Sequence, residues 1–148
     1  MKKLFVMLLL STSVYALPPV SPDYMLTPGV IDPRATVKKI CKPHYTETVR
    51  HVTMKTKKEV FKIYGIDQYS DSFEVDHLIP LELGGSNDIK NLWPESYTTT
   101  PYNAHDKDVL ENRLHKLVCD GKITLIQAQM EIARDWIRAH QDLSLIHI

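Results

Sequence analysis

The sequence predicts one α+β domain over residues 34–142, and three observations support this prediction. Residues 73–83 are mostly apolar, include Phe73, Val75 and Ile79, and lead into a Gly-Gly turn, which is typical of short strands. Two later segments carry apolar residues at helical spacing, and each opens at a good capping residue, Asn103 and Thr124. The 148-residue chain also has the length of one ordinary domain with its own core.

Residues 1–16 have the pattern of an export signal. Lys2 and Lys3 form a short positive region, and the unbroken apolar run Leu4–Leu10 follows. This run is too short to span a bilayer, which takes about 20 apolar residues. We therefore expect cleavage after Ala16 and a secreted or periplasmic mature chain without a membrane segment.

The two ends of the mature chain differ in composition from its centre. Residues 17–33 hold five prolines and little periodicity, so we expect an extended, mobile arm. Residues 143–148 form an apolar stretch after the last predicted helix, and their sequence resembles the translation of a sequencing adapter. We expect this stretch to be a non-native tail.

The first elements of the domain are short. Residues 36–41 predict one helical turn, and residues 42–52 predict an extended or looped segment. A capping box that starts at Thr56, with Gly65 as a stop signal, predicts a helix over residues 57–64.

The predicted strands and the longer helices follow. Pro80 interrupts any regular ladder, so two short strands are predicted, over residues 74–76 and 81–83. Asn103 then caps a helix that runs to about residue 118. A second capping box begins at Thr124 and opens a helix to about residue 140.

Cys41 and Cys119 are the only cysteines in the chain. In an exported protein an even count indicates a disulfide, and here only one pairing is possible. The alternative is two free thiols that are buried as small apolar side chains. The chain contains no CxxC pair, which excludes a four-thiolate zinc site within it.

The distribution of charge is more informative than the net charge. Removing Lys2 and Lys3 from the 18 basic residues leaves 16 against 18 acidic residues, so the net charge does not indicate a nucleic-acid-binding protein. Residues 34–62, however, contain nine lysines and arginines and only two acidic residues, whereas acidic residues dominate 63–112. We therefore expect one basic face and one acidic region.

The most informative stretch surrounds the first predicted strand. Asp76 and His77 are adjacent at its end, and Asn91 and Asn103 follow at spacings that can return to the same place. A carboxylate and an amide oxygen can hold a hard divalent cation, and an imidazole with an ordinary pKa near ~6.5 can take a proton from water. Together these groups predict metal-assisted hydrolysis.

The order of these residues also resembles that of a known family. It reads, in sequence order, Asp76-His77, Pro80, Gly84-Gly85, Asn91-Leu92, Asn103 and Lys107. This order resembles the HNH endonuclease family, the ββα-metal or His-Me finger fold. Residues 40–50 and 114–119 also resemble small exported bacterial HNH proteins. The resemblance implies an α+β fold with a ββα-metal core, flanking helices and one disulfide.

The resemblance implies a role for each residue of the motif. His77 would be the general base that activates water, and Asn91 would complete the catalytic pair by bonding across the loop to fix His77. Asp76 would be one metal ligand and Asn103 the second. One divalent ion, Mg²⁺ above all, would be bound there together with substrate phosphates and water.

One departure from the family pattern leaves the second ligand open. Many family members have a histidine as the third letter, whereas here Asn103 stands in that region and His105 follows two residues later. Residues two apart do not share a helix face, so the two are not expected to ligate together. Asn103 is favoured because a helix start can aim its side chain at the loop. Ligation by His105 would instead favour Zn²⁺, Ni²⁺ or Mn²⁺.

The predicted substrate is nucleic acid, with DNA favoured over RNA. The predicted oligomeric state is a monomer. Substrate phosphates are expected to contact Arg50, Lys55, Lys58 and Lys107. Two alternatives remain open. One is a non-catalytic module of the same fold that binds nucleic acid or metal. The other is a hydrolase of small phosphoesters, which the basic segment 34–62 makes the weaker alternative.

Overall fold

The computed structural model describes residues 20–66 and 72–145, so the predicted signal peptide lies outside the described residues. The helices and strands are, in chain order, α1 (Val37–Ile40), α2 (Tyr45–Val49), α3 (Met54–Ile63), β1 (Phe73–His77), β2 (Leu92–Ser96), α4 (Ala104–Cys119) and α5 (Leu125–Leu145). This is the mixed α+β composition that the sequence predicts. None of the helices in these two ranges is long and apolar enough to cross a membrane.

Strands β1 and β2 form an antiparallel pair whose register places the charged side chains. Glu74 lies opposite Glu95, and Asp76 lies opposite Trp93. Because side chains alternate between the two faces of a strand, the three carboxylates share one face of the sheet. His77 therefore lies on the other face, although it follows Asp76 directly.

The second predicted strand, residues 81–83, is wrong. Leu81–Leu83 form a 3₁₀ turn that ends at Gly84, whose φ of 76° lies in the left-handed region. The partner of β1 is instead β2, over which no strand was predicted. Its Pro94 is tolerated because, among the described residues, β2 has no second neighbouring strand to which an N–H must donate.

Two short helices differ from the prediction, whereas α1 agrees with it. The turn of helix in α2 replaces a predicted extended or looped segment. Helix α3 begins about one turn earlier than predicted, because the Thr53 hydroxyl accepts a hydrogen bond from the Thr56 N–H at 3.1 Å. Thr53 and Thr56 are equally suitable caps by residue type, so the sequence alone does not choose between them.

Helices α4 and α5 begin where the sequence places them, and they carry the core. Asn103 and Asp106 form the capping box of α4, and the Thr124 hydroxyl accepts from the Gln127 N–H at 3.2 Å. The core combines Ile40, Ile79, Leu83, Leu110, Leu114, Val118, Ala128, Ile132, Trp136 and Ala139. Each large apolar side chain buried there stabilises the fold by about 1.5–3 kcal/mol.

Residues 27–32 lie along the loop that follows β1. The Gly29 N–H donates to the Lys90 carbonyl at 3.1 Å, and the buried Thr27 hydroxyl donates to the Leu92 carbonyl at 2.9 Å. The sequence predicts a mobile arm up to residue 33, and these bonds instead attach its second half to the domain. The backbone N–H and C=O groups of the loop after β1 have few strand partners, and residues 27–32 supply hydrogen-bond partners for them.

Cys41 and Cys119 form the predicted disulfide, which joins the end of α1 to the end of α4. His115 lies beside it, with Nε2 3.4 Å from the Cys119 sulfur. Two sulfurs and an imidazole at this spacing are ligand types for zinc, but sulfurs that are bonded to each other are not thiolates. The bridge is therefore structural.

Replacing both cysteines by serine is expected to lower the free energy of unfolding by about 2–4 kcal/mol, because the disulfide closes a long loop in the unfolded chain. The separation between the two cysteines is 78 residues. Urea denaturation of the Cys41→Ser/Cys119→Ser variant measures the loss. A dithiol reductant should bring the parent to the same stability and leave the variant unchanged. A variant as stable as the oxidised parent would contradict the prediction.

Candidate active site

Asp76 and His77 end strand β1 and form the centre of the candidate site. The His77 residue is only 3% exposed, and the Asp76 side chain is 16% exposed. Because they lie on opposite faces of the sheet, each meets a different part of the molecule. His77 faces the loop after β1, and Asp76 faces helix α4.

One buried side chain, Asn91, holds the loop that follows β1. Its amide nitrogen donates to the carbonyls of Ile79 at 2.9 Å and Ser86 at 2.8 Å, and its amide oxygen accepts from the Ile79 N–H at 3.0 Å. The Leu78 N–H donates to the Asn91 carbonyl at 2.8 Å. Asn91 therefore fixes the backbone directly after His77 and acts on the ring through that backbone.

Gly85 lies where this loop leaves no room for a side chain. A Cβ at this position would fall 1.7 Å from the Ile79 carbonyl oxygen, so no other residue fits without a shift of the backbone. The Gly85 N–H donates to the Pro80 carbonyl at 2.9 Å. The Gly-Gly turn thus closes the loop tightly enough to bring Asn87 back to His77.

Asn87, which the sequence indicated only as a turn residue, sets the tautomer of His77. Nε2 of His77 lies 3.1 Å from Oδ1 of Asn87. The amide orientation of Asn87 follows from two backbone groups: its nitrogen donates to the Val49 carbonyl at 2.8 Å, and its oxygen accepts from the His51 N–H at 3.2 Å. Because an amide oxygen only accepts, Nε2 of His77 carries the proton and Nδ1 carries the lone pair.

The surroundings of His77 keep its ring neutral. Burial lowers the pKa of His77 below its ordinary value, and the attraction of the Asp76 carboxylate only partly offsets this effect. The positive charges of Arg50 and Lys107 lower the pKa further. At neutral pH the imidazole is therefore uncharged, and Nδ1 is able to accept a proton.

On the other face of the sheet, Asp76 meets a fully buried lysine of α4. Nζ of Lys107 lies 2.6 Å from Oδ2 of Asp76 and 2.9 Å from the His77 carbonyl oxygen, and it also pairs with Glu111. Burial alone would lower the pKa of Lys107, but the charges of Asp76 and Glu111 outweigh it and raise the pKa. Burial likewise opposes ionisation of Asp76, and the lysine charge outweighs it and lowers the pKa of Asp76. The two form a buried ion pair.

Two more carboxyl groups stand beside Asp76 on this face, Glu74 and Glu95. Burial and the charge of Asp76 raise the pKa of Glu95 to about 11, so Glu95 is protonated and hydrogen-bonds to Asp76. Burial also raises the pKa of Glu74, whose carboxylate accepts from the Tyr97 hydroxyl at 3.0 Å. Of the three acidic groups on this face, Asp76 is the one whose surroundings favour the ionised form, because its pKa is lowered whereas those of Glu74 and Glu95 are raised.

The donor chemistry of this carboxylate face fits a hard divalent cation. One oxygen each from Glu74, Asp76 and Glu95 lies within 4.8 Å of the other two. Carboxylate oxygens are the donors that Mg²⁺ and Mn²⁺ prefer. Oε1 of Glu95 is buried and has no hydrogen-bond partner among the described residues. This oxygen is therefore free to contact a cation.

The side chains predicted as the second metal ligand lie at the start of α4. Oδ1 of Asn103 accepts from the His105 N–H at 3.0 Å, and its amide nitrogen donates to the Thr99 carbonyl at 3.3 Å, so this side chain caps the helix. His105 is exposed, and its ring lies against that of Tyr97 with 5.4 Å between centroids. Within the described residues, neither side chain bonds to Asp76, and the ligand role of each stays a prediction.

The predicted phosphate contacts fall into two groups. Arg50 lies close enough to His77 for its charge to act on the pKa of the ring, and Lys55 and Lys58 are exposed on α3. Lys107, in contrast, is buried and pairs with two carboxylates. This position fits a counter-ion of Asp76 better than a contact with a substrate phosphate. Its substrate role stays a prediction.

Four side chains at the site were not singled out from the sequence: Glu74, Asn87, Glu95 and Glu111. Two of them carry a usable signal, because Glu74 shares a strand face with Asp76, and Glu111 follows Lys107 by four residues on a helix. The roles of the other two depend on which segments meet in the folded chain.

Comparisons of the chain with protein-family models, with curated proteins and with solved structures found no match. The assignment of a function therefore rests on the residues and geometry of the site.

Proposed function

We propose that this chain is an exported, metal-dependent HNH-type endonuclease that hydrolyses phosphodiester bonds in DNA, or in RNA. One observation carries the proposal: His77 is a neutral imidazole whose lone pair is assigned to Nδ1 by its contact with Asn87. It stands next to an ionised carboxylate, Asp76. A general base must be unprotonated and held in one orientation at working pH, and this imidazole meets both conditions.

The order of elements supports the same proposal. Strand β1, the loop that Asn91 holds, β2 and α4 follow one another in the chain, and Asp76 and His77 stand at the end of the first strand. Asn91 stands just before the second strand and fixes the loop between them. This order agrees with the ββα-metal core that the HNH resemblance implies.

The chain's own groups can take the proton from water and neutralise part of the phosphate charge during hydrolysis. Nδ1 of His77 takes a proton from water as the water oxygen bonds to phosphorus. The bond from phosphorus to the 3′ oxygen breaks, and that oxygen takes a proton from solvent. Arg50 neutralises charge on the phosphate. Asp76, with Glu74 and Glu95 beside it, would hold the divalent cation, which would supply stabilisation of negative charge when bound.

Export is part of the proposal, and the disulfide supports it. Disulfides persist in oxidising compartments such as the periplasm and the cell exterior. The Cys41–Cys119 bridge is therefore compatible with the export signal predicted over residues 1–16.

A non-catalytic nucleic-acid-binding module of the same fold is the second candidate function. The observation that favours it is that Asp76 is already engaged, by the ammonium of Lys107 and by the protonated Glu95. A carboxylate that only completes a buried ion pair would hold no metal. The two candidates differ in whether metal produces turnover.

Plasmid nicking is expected to require a divalent metal. Supercoiled plasmid should be converted to open circles with Mg²⁺ or Mn²⁺ and should remain intact with chelator, because the general base alone leaves the phosphoryl charge unstabilised. Calorimetric titration of Mn²⁺ should give binding to the parent. Asp76→Asn should weaken this binding at least tenfold, because an amide replaces the charged donor. Nicking that persists in chelator would reject the metal-dependent mechanism, and the absence of nicking with every metal would favour the binding module.

A further inference from the structure

A groove with a volume of about 1020 Å³ lies between the α1–α2 segment and the Gly-Gly loop. Its lining includes Arg34, Lys39, Lys42, Tyr45, His51 and Asn87. Of these residues, only Asn87 and the backbone N–H of His51 take part in the site described above. The groove is therefore a separate concave surface that shares one wall with that site.

The groove ends at Asn87, the residue that holds the candidate general base. Asn87 lines the groove and contacts Nε2 of His77 at 3.1 Å. Residues Val49 and His51 also line it, and both bond to Asn87 through their backbone. A chain lying in the groove would therefore reach the Asn87 side of the site, although His77 itself does not line the groove.

The charge of the groove suits a polyanion. Three cations line it, Arg34, Lys39 and Lys42, against two carboxylates. Asp32 pairs with the Arg34 guanidinium through two bonds of 3.0 Å, and Asp88 accepts from the Lys90 N–H at 2.9 Å. Lys39 and Lys42 are then the two cations that stand against the single charge of Asp88.

Lys42 is the cation best placed for a ligand, because its ammonium has no hydrogen-bond partner among the described residues. Lys39 is partly engaged, since its Nζ donates to the Arg34 carbonyl at 2.8 Å. Lysines of this kind neutralise phosphates as point charges and so place few demands on the ligand's geometry.

One aromatic ring stands among these cations. Tyr45 is half-buried: it packs against the core and also lines the groove. A basic groove with an aromatic side chain is the arrangement by which proteins bind single-stranded nucleic acid, because the backbone follows the cations and a base stacks on the ring. The bases of a duplex are already stacked on each other and are not available to such a ring.

We propose that this groove binds a single strand of nucleic acid, with phosphates at Lys42 and Lys39 and a base on Tyr45, and brings the strand to Asn87, the residue that holds His77. The cleavage part of this inference rests on the proposed nuclease function, whereas the binding part does not. The nuclease would then prefer single-stranded over duplex substrate.

Fluorescence anisotropy in chelator tests the binding without turnover. The probes are a labelled oligothymidylate of twelve nucleotides and a labelled duplex of the same length. We expect the single strand to bind at least tenfold more tightly than the duplex. Its affinity should fall with salt, and Lys42→Ala should reduce the slope of log affinity against log salt by about 0.7, the value for one phosphate contact on a single strand.

Two variants of Tyr45 separate stacking from folding. Tyr45→Ala should weaken binding of the single strand by about tenfold, in line with the loss of one stacked base. Tyr45→Phe keeps the ring and should bind as the parent does. The matched control for charge is Lys122→Glu against Lys42→Glu, because Lys122 is exposed in the α4–α5 turn, away from the groove lining. Only Lys42→Glu should weaken binding.

The outcomes distinguish failure of the groove from failure of the nuclease. Equal effects of Lys42→Glu and Lys122→Glu would overturn the groove assignment, even if the parent cleaves DNA. Duplex binding as tight as single-strand binding would overturn the preference for a single strand. Groove-dependent binding without cleavage under any metal would support the groove and reject the nuclease.

Discussion

Replacing His77 by alanine is expected to reduce the rate of phosphodiester cleavage by about 10²- to 10⁴-fold, the usual contribution of a positioned general base. The physical reason is that the contact of Nε2 with Asn87 leaves the lone pair on Nδ1 of a neutral imidazole, where it can take a proton from water. Initial rates of plasmid nicking with saturating metal measure the effect. Binding of oligothymidylate in chelator should stay close to that of the parent, because His77 is buried and does not line the groove.

The matched control is His44→Asn. His44 is exposed, lies outside the site and has a positive φ of 62°, a conformation that asparagine tolerates better than alanine. Its cleavage rate should equal that of the parent. If His77→Ala nicks plasmid as fast as His44→Asn, His77 is not the base.

The same assignment fixes the direction of the pH dependence. Burial lowers the pKa of His77 below its ordinary value of 6.5, and the neutral ring is the active form. The rate should therefore be constant through neutral pH and fall only when the pH drops below 6.5, as the ring becomes protonated. An acid limb whose midpoint lies at or above 6.5 would show that a different group is titrating.

Replacing Lys107 by methionine is expected to lower the free energy of unfolding by about 3–5 kcal/mol, the range found when one partner of a buried ion pair is removed. Methionine fills nearly the same volume, so the loss is electrostatic rather than a cavity. Without the ammonium, Asp76 loses the partner whose charge lowers its pKa, and Glu111 loses its ion pair. Urea denaturation monitored by circular dichroism measures the change.

Lys116→Met is the matched control on the same helix. Lys116 pairs with Asp120 at 2.6 Å, but both side chains are exposed, so this ion pair contributes about 0.5 kcal/mol or less. Combining Lys107→Met with Glu111→Leu should recover part of the lost stability, because it removes one of the carboxyl groups left without a counter-ion. A Lys107→Met variant no less stable than Lys116→Met would show that the buried pair does not contribute to stability.

Helices α4 and α5 were predictable because their signals are local. Each begins at a capping residue, Asn103 or Thr124, that is followed by apolar residues at helical spacing. Strand β2 was not predictable in the same way. Pro94 argues against a strand by residue type, and it is acceptable because β2 has a strand neighbour on one side alone within the described part of the chain.

The candidate site shows the same division. Asp76 and His77 were predicted because they are adjacent in the chain, and Asn91 because it stands at a spacing that can return to them. The partners that give these residues their charge states come from other segments. The ammonium of Lys107 reaches Asp76 from α4, and Asn87 is oriented by the backbone of Val49 and His51. No local pattern encodes such contacts.

The hydrogen bonds between the Asn87 side chain and the backbone of Val49 and His51 limit how far this protein can be shortened. A fragment that kept only the hairpin and the following helix would retain His77 but lose the two groups that orient the amide beside it. The imidazole would then be free to sample both tautomers and other rotamers. We therefore expect the smallest fully active fragment to include residues from at least Val49 onward.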